Sequence, residues 1–360
     1  KEVLSQKQVI IIMSAFIVGS SAIIGTGLSA KQDFWIAYLI SLAIAAIIIP
    51  IYARISKLYP QEEFSTILNT LFGKVGGRII ILLYSWYAFH LMSLVLRNFS
   101  EFVSIVSLNQ APSYIFAFVA VVITILTIRS GIEVVGRVLS IFFPLFIIIV
   151  IIVSLLSINL FNFDNLLPIL YDGLKPVLKT SYSLFAFPFA ETVLFLFIMG
   201  SIRKSSSPYK IYYTSLLLGG VLLICIAFIT VLILGIPNIL SQKFPSYVAV
   251  RLVHIGDFLQ RIEASIAISY MITGYTKSCV CLYAATKGFA SVFKIKDYHQ
   301  IVAPIGLLTV LYSIIIFDND IEMFYWAKSI YHYYTIPFQI IFPIIIWITA
   351  EIKTRRKKNL

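Results

Sequence analysis

The sequence predicts an all-α membrane protein: ten transmembrane helices in a five-plus-five inverted repeat, with helices one and six broken. Three observations carry that expectation. Of 360 residues, 60% are hydrophobic and 12% charged, against about 25% charged in a typical soluble domain, and the mean hydropathy is +0.95. The apolar runs are spaced almost evenly, so 1–360 reads as one transmembrane domain with no room for a soluble catalytic module. Interruptions fall at matching places in the first and sixth runs.

The first five spans are expected near Gln8–Leu28, Phe34–Arg54, Ile79–Phe102, Ser113–Ile128 and Val138–Leu160. The second five are expected near Ser181–Ile202, Tyr212–Leu234, Ile262–Ala285, Gln300–Phe317 and Thr335–Ile352. These are runs suited to a hydrocarbon core about 30 Å thick. Turn-forming clusters divide them: Lys31-Gln32-Asp33, Tyr59-Pro60, Gln110-Ala111-Pro112, Lys204 to Pro208, and Asp318-Asn319-Asp320. The first repeat is therefore about 8–160, the second about 181–352, and 353–360 is a basic tail. The first run is longer than the roughly 7–15-residue core of a signal peptide, so an uncleaved span is expected.

An even number of spans places both termini on one side, and basic residues decide which. Nineteen Lys and Arg fall on the terminal side, among them Arg54, Lys57, Arg129, Arg137 and the tail Lys353, Arg355, Arg356, Lys357 and Lys358, against eight on the other. The positive-inside rule then puts both termini in the cytoplasm. The net charge of +12 lies between apolar runs, a placement that fits an anionic leaflet and not nucleic acid. Cys225, Cys279 and Cys281 lie in apolar segments without metal-binding or redox spacing, and the four histidines are scattered, so no metal site or cofactor is expected.

Two halves of five spans must enter the bilayer in opposite directions, and in such folds the first helix of each half is interrupted at the midplane. Span one carries Gly19-Ser20-Ser21 at its middle and Gly25-Thr26-Gly27 further out. Span six carries Phe187-Pro188-Phe189 followed by Glu191. Broken helices and buried charges survive in a membrane only where they face protein or a watery cavity. Gly19, Ser20, Ser21 and Gly25 are thus candidates to expose backbone groups to a ligand; small-residue packing is the competing reading. Phe187, Pro188 and Phe189 offer freed carbonyls and aromatic walls. Glu191 could carry a proton, meet a ligand amine or pair with another side chain. Lys277 in span eight could act as a tethered cation or snorkel to the surface. Tyr84, Tyr87 and His90 share one face of span three and either line the path or pack. Tyr270 and Thr273 share a face of span eight and are candidates to touch ligand. Arg97 and Glu101, four apart, are expected to pair at the outer end of span three; Arg129, Glu133 and Arg137 read as a solvated turn.

These residues carry a family resemblance. Ile24-Gly25-Thr26-Gly27, Ala30-Lys31-Gln32-Asp33-Phe34-Trp35-Ile36-Ala37, Leu58-Tyr59-Pro60 and Phe187-Pro188-Phe189-Ala190-Glu191, in this order on a ten-span chain, resemble the amino acid–polyamine–organocation transporter superfamily. Within it, the chain resembles the B subunit of spore germinant receptors, the endospore germination permeases. The resemblance covers essentially the whole chain. It implies a LeuT-like fold in the spore inner membrane, with a pocket between spans one, three, six and eight. It implies a subunit that works with an A subunit and a lipoprotein C subunit, senses a small nutrient such as an amino acid or nucleoside, and triggers germination. By position, Gly19, Ser20, Ser21, Gly25, Phe187, Pro188 and Glu191 would be pocket residues. Many superfamily members have Gly-Ser-Gly or Gly-X-Gly in span one, where this chain has Gly19-Ser20-Ser21. A proton-coupled amino-acid transporter with Glu191 as proton carrier is the alternative. No nucleophile–base pair or metal-ligand spacing points to an enzyme.

Overall fold

The protein is described by a computed structural model covering residues 2–106, 112–253 and 263–358. Among these residues the only β-structure is an isolated bridge between Leu4 and Ile202. Span one is α1 (Gln6–Val18) and the short α2 (Ser21–Ile24), parted at Gly19-Ser20. Ser5 caps α1 reciprocally: its hydroxyl accepts from the Gln8 amide, and the Gln8 side chain accepts from the Ser5 N–H at 2.9 Å. Spans two to five are α3 (Phe34–Leu58), α4 (Phe64–Val106), α5 (Ser113–Arg129) and α6 (Ile132–Leu156). Span six is α7 (Leu174–Leu184), a widened π turn over Phe185–Phe189 and a tight 3₁₀ stretch over Ala190–Phe197. Then come α8 (Pro208–Leu240), α9 (Pro245–Arg251), α10 (Glu263–Phe293), α11 (His299–Ile315), α12 (Asp320–Ser329), α13 (Tyr331–Tyr334) and α14 (Phe342–Lys358).

Among the described residues, seven helical stretches are long and apolar enough to cross a membrane, or eight if α11 and α12, bent by 102°, count as one broken span. Of the remaining expected spans, α5 is apolar but only 17 residues long. The other, α10, spans 31 residues interrupted by Ser, Thr and Lys277. The expected start of span eight at Ile262, and Gln110-Ala111, lie outside the described residues. Span five starts earlier than expected, at Ile132, because Glu133 and Arg137 sit within its first turns and not in a loop. Span six starts at Leu174 and not Ser181: its first half carries Lys175, Lys179, Thr180 and Ser183, polar residues that conceal a helix from hydropathy.

The helices form two packed groups. α1, α3, α7 and α8 pack together, as do α4, α5, α10 and α11. Each group therefore joins two consecutive spans of the first half to the two that lie five spans later. α6 presents Ile141, Ile148, Ile151 and Leu155 outward, a stripe at helical spacing that suits lipid. On the side of the termini, the segment before α1 is bound to four other parts of the chain. Leu4 N–H donates to the Ser201 carbonyl at 2.8 Å, and Arg203 N–H donates to the Leu4 carbonyl at 3.0 Å. Val3 N–H donates to the Glu133 carboxylate, and Ser207 N–H to the Gln6 side chain at 2.9 Å. The Glu2 carboxylate accepts from the Tyr283 and Tyr298 hydroxyls.

Candidate functional site

Both breaks meet at one place. At the end of α1, Gly19 adopts φ +27° and ψ −131°, a region that side chains disfavour. A Cβ there would lie 2.7 Å from the Phe16 carbonyl and 2.9 Å from Cδ of Lys277, so glycine also makes room for the lysine stem. In span six, Phe187 is extended (φ −140°, ψ 110°) and is joined to Pro188 by a cis peptide bond. Proline lacks an N–H and cannot continue the hydrogen-bond ladder. The carbonyl of Ala186, next to this break, is instead taken by the Gln339 side-chain amide at 2.8 Å.

Three residues beyond Pro188, Glu191 is fully buried, as is Lys277 of α10, whose Nζ lies 2.5 Å from Glu191 Oε2. The ammonium also sits 4.3 Å from the centroid of the Phe187 ring and 5.2 Å from that of Phe16, within cation–π range. The Tyr331 hydroxyl donates to the other oxygen of Glu191. Tyr331 in turn lies 3.5 Å from the Tyr87 hydroxyl, and Gln339 Nε2 donates to Tyr87 at 2.9 Å. A phenol has one proton to give, so with Tyr331 donating to Glu191 its oxygen is left to accept from Tyr87. The donors thus run in one direction, from Gln339 through Tyr87 and Tyr331 to the carboxylate, which Lys277 meets from the other side. A buried chain of donors ending on an ion pair is strengthened by the low local dielectric.

Above this floor lies a cavity of about 590 Å³, a size that suits a small molecule. Span one contributes Ser20 and Gly25, α4 contributes Asn98, α7 contributes Lys179, and Phe187, Trp326 and Tyr331 close the base and side. The lining comes from the later part of span one and the beginning of span six, so the cavity faces away from the termini. A carboxylate-centred cluster joins α4 to the start of α12: Glu101 meets Arg97 at 2.6 Å and Lys243 at 3.0 Å, and Lys243 also reaches Asp320. The expected Arg97–Glu101 pair is therefore part of a larger cluster.

Among the candidates named from sequence, Ser20, Gly25 and Phe187 line the cavity, while Gly19, Glu191 and Lys277 come together behind its floor. Pro188 and Phe189 are buried in the break and outside the lining. Ser21 is buried, and its carbonyl accepts from Thr26 at 3.3 Å. Tyr87 belongs to the donor chain, whereas Tyr84 donates to the Phe338 carbonyl at 2.7 Å within an aromatic cluster. Tyr270 and Thr273 line a separate crevice of about 30 Å³. The Thr273 hydroxyl lies 3.2 Å from the Gly19 carbonyl, so it touches the break from behind. Tyr331, Gln339, Trp326 and Lys179 were missed by sequence reasoning. Gln339 alone had a visible signal, a lone amide in an apolar run. Among the described residues, no group of three His, Cys, Asp or Glu side chains is placed to hold a metal ion.

Comparison with known proteins agrees with this geometry. The model of the family described as "Spore germination protein" matches residues 3–321. Spore germination protein KB of Bacillus subtilis (strain 168) is 27% identical over 360 residues, covering 99% of this chain and 96% of that protein. Among solved structures, Mhp1, a nucleobase-cation-symport-1 family transporter in a closed conformation with bromovinylhydantoin bound, superposes with a TM-score of 0.71 at 12% identity, covering 98% of this chain and 91% of Mhp1. MhsT in complex with L-phenylalanine gives the same TM-score of 0.71 at 15% identity, covering 98% and 97%. The backbone is accordingly LeuT-like, as the resemblance implied. Because the family model covers most of the chain, this protein belongs to the spore germination permease family, the B-type membrane proteins of germinant receptors.

Proposed function

We propose that this protein is the ligand-sensing membrane subunit of a nutrient-germinant receptor, working with an A subunit and a lipoprotein C subunit in the spore inner membrane with both termini in the cytoplasm. One observation carries the reading: the cavity and the buried ion pair share Phe187 and Tyr331, which line the one and contact the other. A small nutrient, an amino acid or nucleoside, that pushes on either ring acts directly on the Glu191–Lys277 pair. Lys277 packs on Gly19, so the disturbance reaches the break of span one as well. The ligand shifts the protein between two arrangements only to the extent that it binds them unequally. The changed arrangement passes to the partner subunits or opens a path for ions or water. Nothing in this sequence of events requires catalysis.

A proton-coupled transporter is the second reading, favoured by the same buried carboxylate: a charge movable by one proton beside a ligand cavity is the element that coupling needs. Germination of spores carrying Glu191→Gln, measured over a panel of amino acids and nucleosides with receptor abundance followed by blotting, tests the first reading. The expected result is a lost or altered nutrient preference once the response is scaled to receptor abundance. An unchanged response at normal abundance would remove Glu191 from sensing.

A further inference from the structure

We infer that the cavity is built for a small organic anion, a carboxylate on an apolar body, and discriminates against cations; this rests on reading the cavity as the ligand site. The first observation is the sign of its charged lining. Lys179 of α7 and Lys328 in the last turn of α12 both line it, and among the described residues no Asp or Glu does. Other basic residues are neutralised: Lys31 pairs with Asp172 at 2.8 Å, and Arg97 and Lys243 are matched by the two carboxylates Glu101 and Asp320. Among the described residues, Lys179 and Lys328 take part in no ion pair.

The second observation concerns the floor. The carboxylate behind the floor, Glu191, already holds Lys277 and accepts from Tyr331, so it has no charge left to offer an entering ammonium. The Phe187 ring is also occupied: the Lys277 ammonium lies 4.3 Å from its centroid, and a second cation on this ring would face the first. An amine entering the cavity thus meets two lysines at the sides, a neutralised acid below and an aromatic ring already facing a cation. A carboxylate meets two cations, while its apolar body rests on Trp326, Phe187 and Leu91. Both lysines are solvent-exposed, so each contributes a modest, screened attraction, and they act by drawing the ligand in as well as by holding it.

The test uses the full chain, purified in neutral detergent at low ionic strength. Three probes of one shape differ in charge: benzoate, benzamide and benzylamine. Binding is followed by quenching of tryptophan fluorescence, since Trp326 lines the cavity. Benzoate is expected to bind best and benzylamine worst. Lys179→Gln and Lys328→Gln, both at exposed positions, should each weaken benzoate roughly two- to fivefold, and together should erase the preference over benzamide. Benzylamine binding as tightly as benzoate, benzoate not binding up to its solubility limit, or a preference that survives loss of both lysines would each overturn the inference. The two proposals fail separately. Anion preference in the purified chain together with an unchanged nutrient response in Glu191→Gln spores refutes the role of Glu191 in sensing alone, and the opposite pair of results refutes the anion class alone.

Discussion

Replacing Lys277 by Met leaves the Glu191 carboxylate buried, held only by the Tyr331 hydroxyl. Opposite charges 2.5 Å apart attract by about 7 kcal/mol at an effective dielectric constant of about 20. Both groups are fully buried, so desolvation offsets most of that attraction, and the pair as a whole adds little net stability. Removing one partner is different: it leaves an uncompensated charge, at a cost of about 3–5 kcal/mol. Lys277→Met and Glu191→Gln should each therefore lower the unfolding free energy, with Lys277→Met near the upper end because Met cannot satisfy the remaining anion. The double variant, with a neutral amide beside a thioether, should return to within about 2 kcal/mol of the original. The assay is unfolding of the purified proteins by sodium dodecyl sulfate in mixed micelles, followed by tryptophan fluorescence and analysed as a double-mutant cycle. A coupling energy near zero, with the two losses simply adding, would refute the argument that these residues function as one buried pair.

Two further predictions follow from the breaks. Gly19→Ala should destabilise by about 1–3 kcal/mol, since it combines a disfavoured φ with contacts to the Phe16 carbonyl and the Lys277 stem. Gly73→Ala, at φ +73° but with no atom within 4 Å of the added Cβ, should cost less; chemical denaturation of both proteins checks the order, and equal losses would mean that the close approach of Lys277 is immaterial. Gln339→Leu removes the donor to both Tyr87 and the Ala186 carbonyl, leaving a buried carbonyl unmet at about 1–3 kcal/mol. Unfolding in the same detergent series measures that loss, and a Gln339→Leu protein as stable as the original would show that the carbonyl finds another donor.

Much of this fold was legible because membranes enforce a simple code: apolar runs of spanning length, and proline or glycine where a helix must open. Gly19 and Pro188 announced their breaks locally. Glu191 and Lys277 each stood out as a charge in an apolar run, but nothing local tied one to the other, because partners on different helices have no common period. The residues that escaped notice did so for a related reason. Lys179, Thr180 and Ser183 lower the hydropathy of α7 because they lie around the cavity, so the side chains that line it disguise the helix that carries them. Asp318-Asn319-Asp320 reads as a break, yet the Asn319 side chain accepts from the Glu322 amide and starts α12. The same polar residues mark the end of one helix and the cap of the next. Tyr331 lies in a tyrosine-rich connection whose depth only the packing of α12 and α13 reveals.

The segment ahead of α1 acts as a bolt. Six hydrogen bonds from this segment and Gln6, the first residue of α1, join it to α6, to the stretch after span six, to the residue preceding α8, and to α10 and Tyr298. Even at about half a kcal/mol apiece, together they favour the fastened state by roughly a hundredfold. These bonds lie on the face of the termini, while the cavity lies toward the other. The bonds are polar and individually weak, so each can be exchanged for a bond to water without breaking the rest.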